Sequence, residues 1–368
     1  MKLKKRSPDW WLLCVMLLLV AVGIIMVFSA SQYAAQHERG DSFYYLKKQL
    51  QAVAIGLLGF FLAYKIDFRV YRRLAWPAYL AVVVILLMVL FSTAGDEVKG
   101  ATRWITIAGL RFQPSEPCKL AMAMLLAKIL TDKQKNIKSF ARSFLPVFAL
   151  MGLSCALVFL QNDLSTTVVI AGMSFIMMFC SGIRPLYLSG TLAAGLAAGV
   201  SAIIMEPYRF KRITAFLDPW SDPLGSGFQT IQSLLAIGSG GLTGVGLGNA
   251  SSKWFYLPEM HTDFIFSVLA EELGLLGGLL VIILFVLLIW RGLLIAVKMP
   301  DVFGSFLALG ITTMIGLQAF INLGVATGLL PVTGVTLPFI SYGGTSLIIS
   351  MTAVGVLWNL SRFAEIKR

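Results

Sequence analysis

Long apolar stretches dominate the chain, and they do not show the one-sided spacing of a soluble amphipathic helix. A helix needs a run of about 18 or more apolar residues to cross the hydrocarbon core of a bilayer, and most of these stretches approach or exceed that length. The pattern therefore predicts an all-α polytopic membrane protein with about ten transmembrane helices. The predicted spans are 10–30, 49–65, 74–92, 115–130, 143–160, 164–181, 187–205, 263–290, 303–328 and 343–361.

Composition agrees with this fold class, because 58% of the 368 residues are hydrophobic and only 13% are charged. An ordinary soluble domain is about a quarter charged, so the chain lacks the polar surface of a soluble enzyme or a secreted disulfide-stapled domain. The first span is too long and too continuously apolar for a cleaved signal peptide, and we expect it to be retained. The four cysteines lie in or at the ends of spans without metal-ligand spacing, which indicates packing residues.

The net charge of +12 raises the question of a nucleic-acid partner, and the placement of the charges answers it. An even number of spans puts both termini on one side of the membrane. That side receives nineteen of the 30 Lys and Arg residues but only five of the 18 acidic residues. Because basic residues accumulate on the cytoplasmic side, both termini are predicted to be cytoplasmic. The basic excess then reflects topology and anionic inner-leaflet lipid, and no nucleic-acid partner is expected.

One large outer loop, 206–262, separates the seventh and eighth spans of what is otherwise a single membrane domain over 1–368. Loops of this length are usually functional or disordered. Its Phe, Trp and Tyr residues and the apolar periodicity of Phe228–Ile237, which is compatible with a helix on the membrane surface, predict a structured loop. The glycine-rich run 238–248 allows two interpretations, a backbone cradle for phosphate and a closely packed turn, and the turn is favoured.

Acidic residues gather at the start of the eighth span. Asp263 directly precedes the apolar helix, so a helix cap is the simpler interpretation of this residue taken alone. Glu271 and Glu272 follow on different faces of the same helix. Since an unpaired carboxylate facing lipid is unfavourable, at least one of them must meet a cation or a wet cavity. His261 lies nearby, and a single histidine is more often a hydrogen-bonded structural residue than a ligand or base.

A possible ion pair opens the fourth span, where Glu116 and Lys119 stand three residues apart on one helical face. Two interpretations stay open for it. The pair could only fix helix packing, or Glu116 could hold Lys119 toward an anionic substrate in an aqueous cavity. Arg103 and Trp104 come just before in the outer loop, where an interfacial tryptophan anchor is the alternative.

The outer end of the predicted bundle thus combines carboxylates and cations from separate segments. Such a cavity at a lipid interface suits a substrate with an anionic head and a lipid tail. The basic run with Arg209 and Arg212 is, by itself, slightly more typical of a solvated or headgroup-facing stretch. The other charged members of the cluster are Arg103, Glu116, Lys119, Asp163, Lys211, Asp263 and Glu271.

Several long motifs, in order, resemble those of the SEDS proteins (shape, elongation, division and sporulation). The Glu-Leu-Gly ending and the short termini are nearer to FtsW and SpoVE than to RodA. Two departures stand out, Asn162 and Ser165 in the 161–166 motif and Pro117 in the fourth span, and the role of Asp163 is left open. The motifs are 218–220, 222–229, 232–233, 236–241, 257–266, 271–274, 322–334 and 337–344, and the similarity covers essentially the whole chain.

The resemblance implies a peptidoglycan glycosyltransferase that polymerises lipid II on the outer leaflet of the bacterial cytoplasmic membrane, with an outward-facing active site. It implies that Asp263 is the essential carboxylate and the general base, which takes the proton of the acceptor sugar's 4-hydroxyl as that oxygen attacks the lipid-linked donor. The residues expected to bind substrate are Arg103, Trp104, Glu116, Lys119, Arg209, Arg212, His261, Glu271 and Ser341.

The same resemblance sets expectations for cofactors and partners. The pyrophosphate leaving group gains negative charge that cations, or a Mg²⁺ or Mn²⁺ ion, would stabilise, although no metal ligand set can be identified in the sequence. No organic cofactor is expected. The expected partners are lipid II, undecaprenyl-pyrophosphate-linked glycan, a single-pass class B penicillin-binding protein and other division or sporulation membrane proteins. Division, elongation and spore-cortex synthesis stay open as biological roles.

Two other functions remain as alternatives, a lipid II flippase and a non-catalytic scaffold for the class B penicillin-binding protein. A carrier is expected to place coupling residues near the membrane midplane, often on broken helices in repeated halves. Here the ionisable residues cluster at the outer end and no internal repeat is visible. The presence of Asp263 argues against a scaffold, so the polymerase is preferred.

Overall fold

Twelve α-helices and a three-stranded antiparallel sheet make up the described part of the chain. The computed structural model describes residues 5–91, 96–98, 101–107, 110–253 and 257–365. The helices α1 to α12 are Trp10–Arg39, Tyr44–Lys65, Phe68–Phe91, Ser115–Asp132, Leu145–Leu160, Leu164–Cys180, Pro185–Ile204, Pro207–Leu217, Phe228–Ser239, Ile265–Lys298, Val302–Ala326 and Gly344–Ser361. The strands β1 to β3 are Asp96–Val98, Ala101–Ile107 and Leu110–Phe112.

Each of the ten predicted spans coincides with one helix, which confirms the all-α polytopic fold. Among the described residues, eight helices are long and apolar enough to cross a membrane. Of the remaining two, α6 is apolar but shorter. The other, α4, carries Glu116 and Lys119 and has most of its residues buried among neighbouring helices. Its lower hydropathy is therefore compatible with a central place in the bundle, where protein rather than lipid surrounds it.

Both ends of the chain meet at one end of the bundle. Asp9 caps α1 by accepting a hydrogen bond from the Trp11 backbone N–H at 3.1 Å, and its other carboxylate oxygen accepts from Arg291 Nε at 2.7 Å. From α12, Trp358 Nε1 donates to the Asp9 carbonyl at 3.0 Å, and the Ser361 hydroxyl accepts from the Asp9 N–H at 2.9 Å. The two termini thus lie on the same side, as an even number of spans requires.

The long helix α10 is broken at Gly274, which has φ 66° and ψ −169°. A break deprives the preceding carbonyls and the following N–H groups of their helical partners. The glycine-rich segment 241–246 replaces both sets. The N–H groups of residues 245–246 donate to the carbonyls of residues 271–272, each at 3.0 Å. The carbonyls of residues 241–242 accept from the N–H groups of residues 275–276 at 2.9 and 3.2 Å. The closely packed turn is therefore confirmed, and two N–H groups of the alternative phosphate cradle are already bonded.

This close approach requires glycine at position 244. A Cβ there would lie 2.1 Å from the Glu272 carbonyl oxygen, and φ at Gly244 is +82°. We expect Gly244→Ala to lower the free energy of unfolding by about 2–3 kcal/mol, measured by thermal unfolding in detergent. Gly238→Ala in α9 is the control, because a Cβ there meets nothing within 4 Å. Equal losses in the two variants would contradict the packing of this segment against the broken helix.

The outer segments contain more regular structure than hydropathy alone indicates. Strands β1 to β3 lie in the segment expected to be a loop between the third and fourth spans. In the large outer loop, α9 covers the predicted helix Phe228–Ile237, but it packs on the bundle instead of lying only on the membrane surface. Ser233 Oγ in α9 lies 2.6 Å from Ser267 Oγ of α10 and 2.6 Å from the Ala326 carbonyl of α11. These polar contacts with two spanning helices fix the position of α9, and the hydrophobic periodicity of the sequence does not reveal them.

Candidate functional site

Asp263 lies in an irregular turn of residues 257–264, immediately before α10. Phe264 occupies the N-cap position of α10, so Asp263 stands one residue ahead of the cap considered in the sequence analysis. The side chains of Leu257, Met260 and Phe264 are buried and anchor the turn in the core. Asp263 itself stays partly exposed.

Three consecutive carbonyl groups fix the backbone of this turn. The carbonyls of residues 261–263 accept, in order, from the Tyr342 backbone N–H at 2.9 Å, the Ser341 hydroxyl at 2.6 Å and the Asn322 side-chain amide at 2.8 Å. Asn322, buried in α11, also donates to the Val335 carbonyl at 2.7 Å. The turn is therefore held by α11 and by the segment that leads to α12. In the described contacts Ser341, expected to bind substrate, holds the turn.

The Asp263 carboxylate lies close to Gly334, in the segment between α11 and α12. A Cβ on Gly334 would be 3.4 Å from Asp263 Oδ2, and φ at Gly334 is +89°. Gly334 also borders a cavity of about 30 Å³, whose walls include Glu116 and Lys119 of α4 and Gln318 of α11. The segment around Gly334 thus connects the carboxylate to the charged pair predicted in the fourth span.

Glu116 and Lys119 form the predicted ion pair, with 2.8 Å between Glu116 Oε1 and Lys119 Nζ. Their side chains are only 6% and 2% exposed, so solvent screens the pair weakly. Pro117 lies in the first turn of α4 and leaves the pair in register, as expected. The cavity beside the pair has room for one or two water-sized groups. Gln318 contributes a buried Oε1 without a hydrogen-bond partner among the described residues, which makes the cavity polar.

Asp163, whose role the sequence left open, connects the starts of two helices. Its Oδ1 accepts from the Thr166 N–H at 3.1 Å, which caps α6. Its Oδ2 accepts from Gln113 Nε2 at 2.9 Å and from Ser115 Oγ at 3.0 Å, at the start of α4. The side chain is buried. In the structure Asp163 therefore positions the helix that carries Glu116.

Two predicted arginines tie α8 to the bundle at different places. Arg209 donates to the Ala202 carbonyl of α7 at 3.1 Å. Arg212 donates to the Val332 carbonyl at 2.9 Å, two residues before Gly334. Both arginines are partly exposed. Arg212 therefore comes close to the segment beside Asp263, whereas Arg209 lies toward α7.

The two consecutive carboxylates of α10 are both buried and both engaged. Glu271 accepts from the Ser251 backbone N–H and hydroxyl at 2.7 Å each. Glu272 accepts from Ser29 Oγ at 2.6 Å and lies 3.5 Å from Lys253 Nζ. Of the two expected solutions, a cation or a wet cavity, Glu272 thus has the cation, Lys253. Glu271, expected to bind substrate, holds the loop that precedes the Asp263 turn.

Three predicted site residues remain: His261, Trp104 and Arg103. The His261 ring packs on Tyr45 of α2, with 4.6 Å between ring centroids. Trp104 lies half-buried in β2, and the side chain of Arg103 is outside the described residues. The structure therefore gathers Asp263, Glu116, Lys119 and Arg212 around the Gly334 segment.

The described side chains do not form a metal site on their own. No group of three or more His, Cys, Asp or Glu side chains comes together within the described ranges. Mg²⁺ commonly uses one or two carboxylates together with substrate phosphates, so a divalent ion here would depend mainly on substrate oxygens. The expectation of Mg²⁺ or Mn²⁺ stays a prediction.

Comparison with known proteins places this arrangement in a family. The family of FtsW, RodA and SpoVE, described as "Cell cycle protein", matches residues 9–366. The chain belongs to this family. "Stage V sporulation protein E" of Bacillus subtilis is 47% identical over 99% of this chain and 100% of its own length. "Probable peptidoglycan glycosyltransferase FtsW" of Geobacter metallireducens is 43% identical over 98% of this chain and 97% of its own length.

Solved structures of this family share the fold. A chain from "Structural coordination of polymerization and crosslinking by a peptidoglycan synthase complex" superposes with a TM-score of 0.79 at 32% identity, covering 97% of this chain and 98% of its own. The rod shape determining protein RodA of Thermus thermophilus superposes with a TM-score of 0.71 at 30% identity, covering 98% and 99%. The SEDS resemblance, and its leaning toward FtsW and SpoVE, is confirmed.

Proposed function

We propose that this protein is a peptidoglycan glycosyltransferase that polymerises lipid II at the outer leaflet of the bacterial cytoplasmic membrane. The observation that carries the proposal is the turn 257–264, whose carbonyls at 261–263 are all held while the Asp263 carboxylate stays partly exposed. The relative named as a probable peptidoglycan glycosyltransferase, 43% identical over nearly its full length, supports it.

In this proposal Asp263 is the general base. The 4-hydroxyl oxygen of the acceptor sugar forms a bond to the anomeric carbon of the lipid-linked donor. The bond from that carbon to undecaprenyl pyrophosphate breaks, and the hydroxyl proton passes to the Asp263 carboxylate. A base works best when it is already within hydrogen-bond reach of the proton. The three held carbonyls provide that positioning before the substrate arrives.

Cations stabilise the charge that develops on the pyrophosphate leaving group. Lys119 is almost fully buried, and the cavity beside it, about 30 Å³, admits only water-sized groups. Its role is therefore electrostatic, acting from behind the Gly334 segment in surroundings that screen charge weakly. Arg212 is partly exposed at the neighbouring outer loop, so it is assigned direct contact with the pyrophosphate.

Orientation and partners belong to the same proposal. Asp263 precedes the first residue of α10, and Arg291, which pairs with Asp9 near the N-terminus, lies toward the other end of that helix. With both termini in the cytoplasm, Asp263 faces outward, where the lipid-linked substrate is used. A class B penicillin-binding protein is the proposed partner, supported by the similarity to a chain of a peptidoglycan synthase complex. Other division or sporulation membrane proteins remain expected partners.

One observation favours the flippase alternative, the break in α10 at Gly274. Carriers often bind substrate and coupling ions at broken helices. Here, however, the glycine-rich segment 241–246 satisfies the broken ends. The two carboxylates beside the break, Glu271 and Glu272, are engaged within the protein. The polymerase accounts for the partly exposed Asp263, which a carrier built on the break would not use.

The test is reconstitution of the protein with its class B partner in liposomes that contain fluorescent lipid II. We expect glycan strands from the pair and none from the partner alone. If no glycan forms and labelled lipid II crosses the bilayer in a protein-dependent way, the flippase function is established instead. Neither glycan nor transfer, with partner binding intact, would favour the scaffold.

The contact between Gly334 and Asp263 gives a sharper prediction. Alanine at Gly334 would strain a backbone with φ +89°, and its methyl group would lie at van der Waals distance, 3.4 Å, from Asp263 Oδ2. Since relief of that strain shifts the segment beside the carboxylate, and small displacements of a catalytic group have large effects, Gly334→Ala should lower the initial rate of glycan synthesis about tenfold or more. Gly328→Ala is the control, because Gly328 also has a positive φ, +69°, but its Cβ would face Leu234. Equal rate losses would contradict the assigned contact.

A further inference from the structure

A second basic region lies at the end of the bundle that holds both termini, away from Asp263. The loop 133–139 follows α4, and beside it α7 begins at Pro185 with Arg184 in the N-cap position. The loop and the helix start form an open cavity of about 610 Å³. We call it the inner basic cavity, lined by 134–140, Arg184 and Tyr187. Nothing in the proposed transferase mechanism uses it.

The inner basic cavity carries positive charge without a compensating carboxylate. Lys135, Lys138 and Arg184 line it and are exposed, and its lining contains no acidic residue. In the described part of the chain, none of these three side chains forms an ion pair. The neighbouring acid, Asp132, is paired with Arg72 at 2.5 Å. The cavity therefore attracts an anion.

The loop that carries two of the cations is held in place. Ser143 Oγ donates to the Asn136 carbonyl at 2.7 Å, and the Ile137 side chain is buried. The chain then forms a π-helical turn at Phe140–Phe144 that leads into α5. Such turns within helices often occur at functional sites. The backbone of the cavity is therefore formed before any ligand binds.

Two further features distinguish this cavity from a solvated basic surface. At the start of α7 no side chain caps the helix, so its first turn presents the positive end of the helix dipole next to Arg184. Tyr187 packs its ring on Phe140 and Phe144 at centroid distances of 5.3 and 5.1 Å. Phe140 remains 48% exposed and Leu186 75% exposed. Anion-binding groups and an apolar surface thus adjoin.

We propose that the inner basic cavity binds the phosphate headgroup of an anionic membrane lipid from the inner leaflet. The lipid is the occupant because α7 leaves most of its length uncovered, with Leu188, Thr191 and Ala202 as its buried residues. Acyl chains can lie along that helix while the headgroup meets the cations. A soluble phosphate would use only the basic half of the site. The proposal is independent of the transferase reaction and shares with it only the cytoplasmic placement of the termini.

The test is native mass spectrometry of the full-length protein in detergent, titrated with phosphatidylglycerol or phosphatidylcholine. Wild type should bind phosphatidylglycerol at least about tenfold more tightly than phosphatidylcholine. The triple variant Lys135→Gln, Lys138→Gln and Arg184→Gln should lose that preference and keep its affinity for phosphatidylcholine. The matched control is Lys65→Gln, Arg69→Gln and Arg73→Gln, which removes the same charge from exposed positions at the same end of the bundle. The control should keep the preference.

Three outcomes would overturn the proposal. Wild type could show no preference, the control could lose as much affinity as the cavity variant, or inorganic phosphate could displace the lipid completely. The last result would assign the cavity to a soluble anion. All six substituted side chains are exposed, so thermal unfolding should match wild type. Should the triple variant unfold, the three single substitutions must each lower the phosphatidylglycerol affinity for the proposal to stand.

Discussion

Asp263→Asn is expected to lower the rate of lipid II polymerisation by a factor of about 10²–10⁴, the usual contribution of a general base. The amide cannot take the proton of the attacking hydroxyl. The hydrogen bonds that hold the carbonyls of residues 261–263 come from the backbone or from other side chains, so the turn should keep its shape. The measurement is the initial rate of glycan formation by the protein with its class B partner.

Asp222→Asn provides the matched control for that experiment. Asp222 is an exposed carboxylate in the same outer loop, and the Ser226 N–H, at 2.8 Å, and hydroxyl hold its pKa below the ordinary value. Its substitution should leave the rate unchanged, because it removes the same charge from an exposed side chain whose described hydrogen bonds are local, to Ser226. A full rate in Asp263→Asn would show that the base has been assigned to the wrong residue. An equal loss in both variants would show that only the charge of the loop matters.

Lys253→Met is expected to lower the free energy of unfolding by about 3–5 kcal/mol, as for other broken buried ion pairs. Glu272 is fully buried, and Lys253 is the cation paired with it at 3.5 Å. Without Lys253, the carboxylate would keep, among the described residues, only its neutral partner Ser29. The same change releases the Gly248 carbonyl, to which Lys253 also donates. The measurement is thermal or denaturant unfolding in detergent.

Two variants make this second prediction specific. Glu272→Gln in the Lys253→Met background removes the uncompensated charge and should restore part of the stability. Lys211→Met, at an exposed position of α8, should have little effect. If Lys253→Met behaves like Lys211→Met, the buried pair of Lys253 and Glu272 does not stabilise the fold. If the second substitution adds a further full loss, the two side chains do not interact.

The spans could be predicted because hydropathy reports exposure to lipid, but their ends could not. The first predicted span stops at residue 30, whereas α1 continues to Arg39, and the eighth stops at 290, whereas α10 continues to Lys298. Polar residues at the end of a helix do not interrupt its backbone hydrogen bonds once it leaves the hydrocarbon core. Hydropathy therefore locates the membrane-facing part of each helix and misses the rest.

The break in α10 and its repair depend on tertiary contacts that no local pattern contains. The sequence required a partner for Glu271 or Glu272, and that requirement was correct. It could not name Lys253, because this residue lies in an irregular loop with no helical spacing to either carboxylate. Similarly, the sequence of the run 238–248 does not show that its backbone hydrogen-bonds to the broken helix around Gly274, because the two segments meet only in the folded chain.

The candidate site was predicted in part. Glu116 and Lys119 could be paired from their spacing alone, and the structure shows the pair. Asn322 and Gly334 lie in family motifs, but their contacts with Asp263 join segments about 60–70 positions apart, which spacing does not reveal. A polar amide within an apolar span was the one local signal for Asn322. The substrate-binding roles of the other predicted residues stay predictions.

In the proposed mechanism Asp263 carries out chemistry on a lipid-linked substrate that other residues bind. The decisive measurement follows lipid II binding and glycan formation on one preparation of Asp263→Asn with its partner. We expect wild-type affinity for lipid II together with loss of glycan synthesis. Glycan synthesis at the wild-type rate, or loss of lipid II binding in a protein that is still folded, would contradict it.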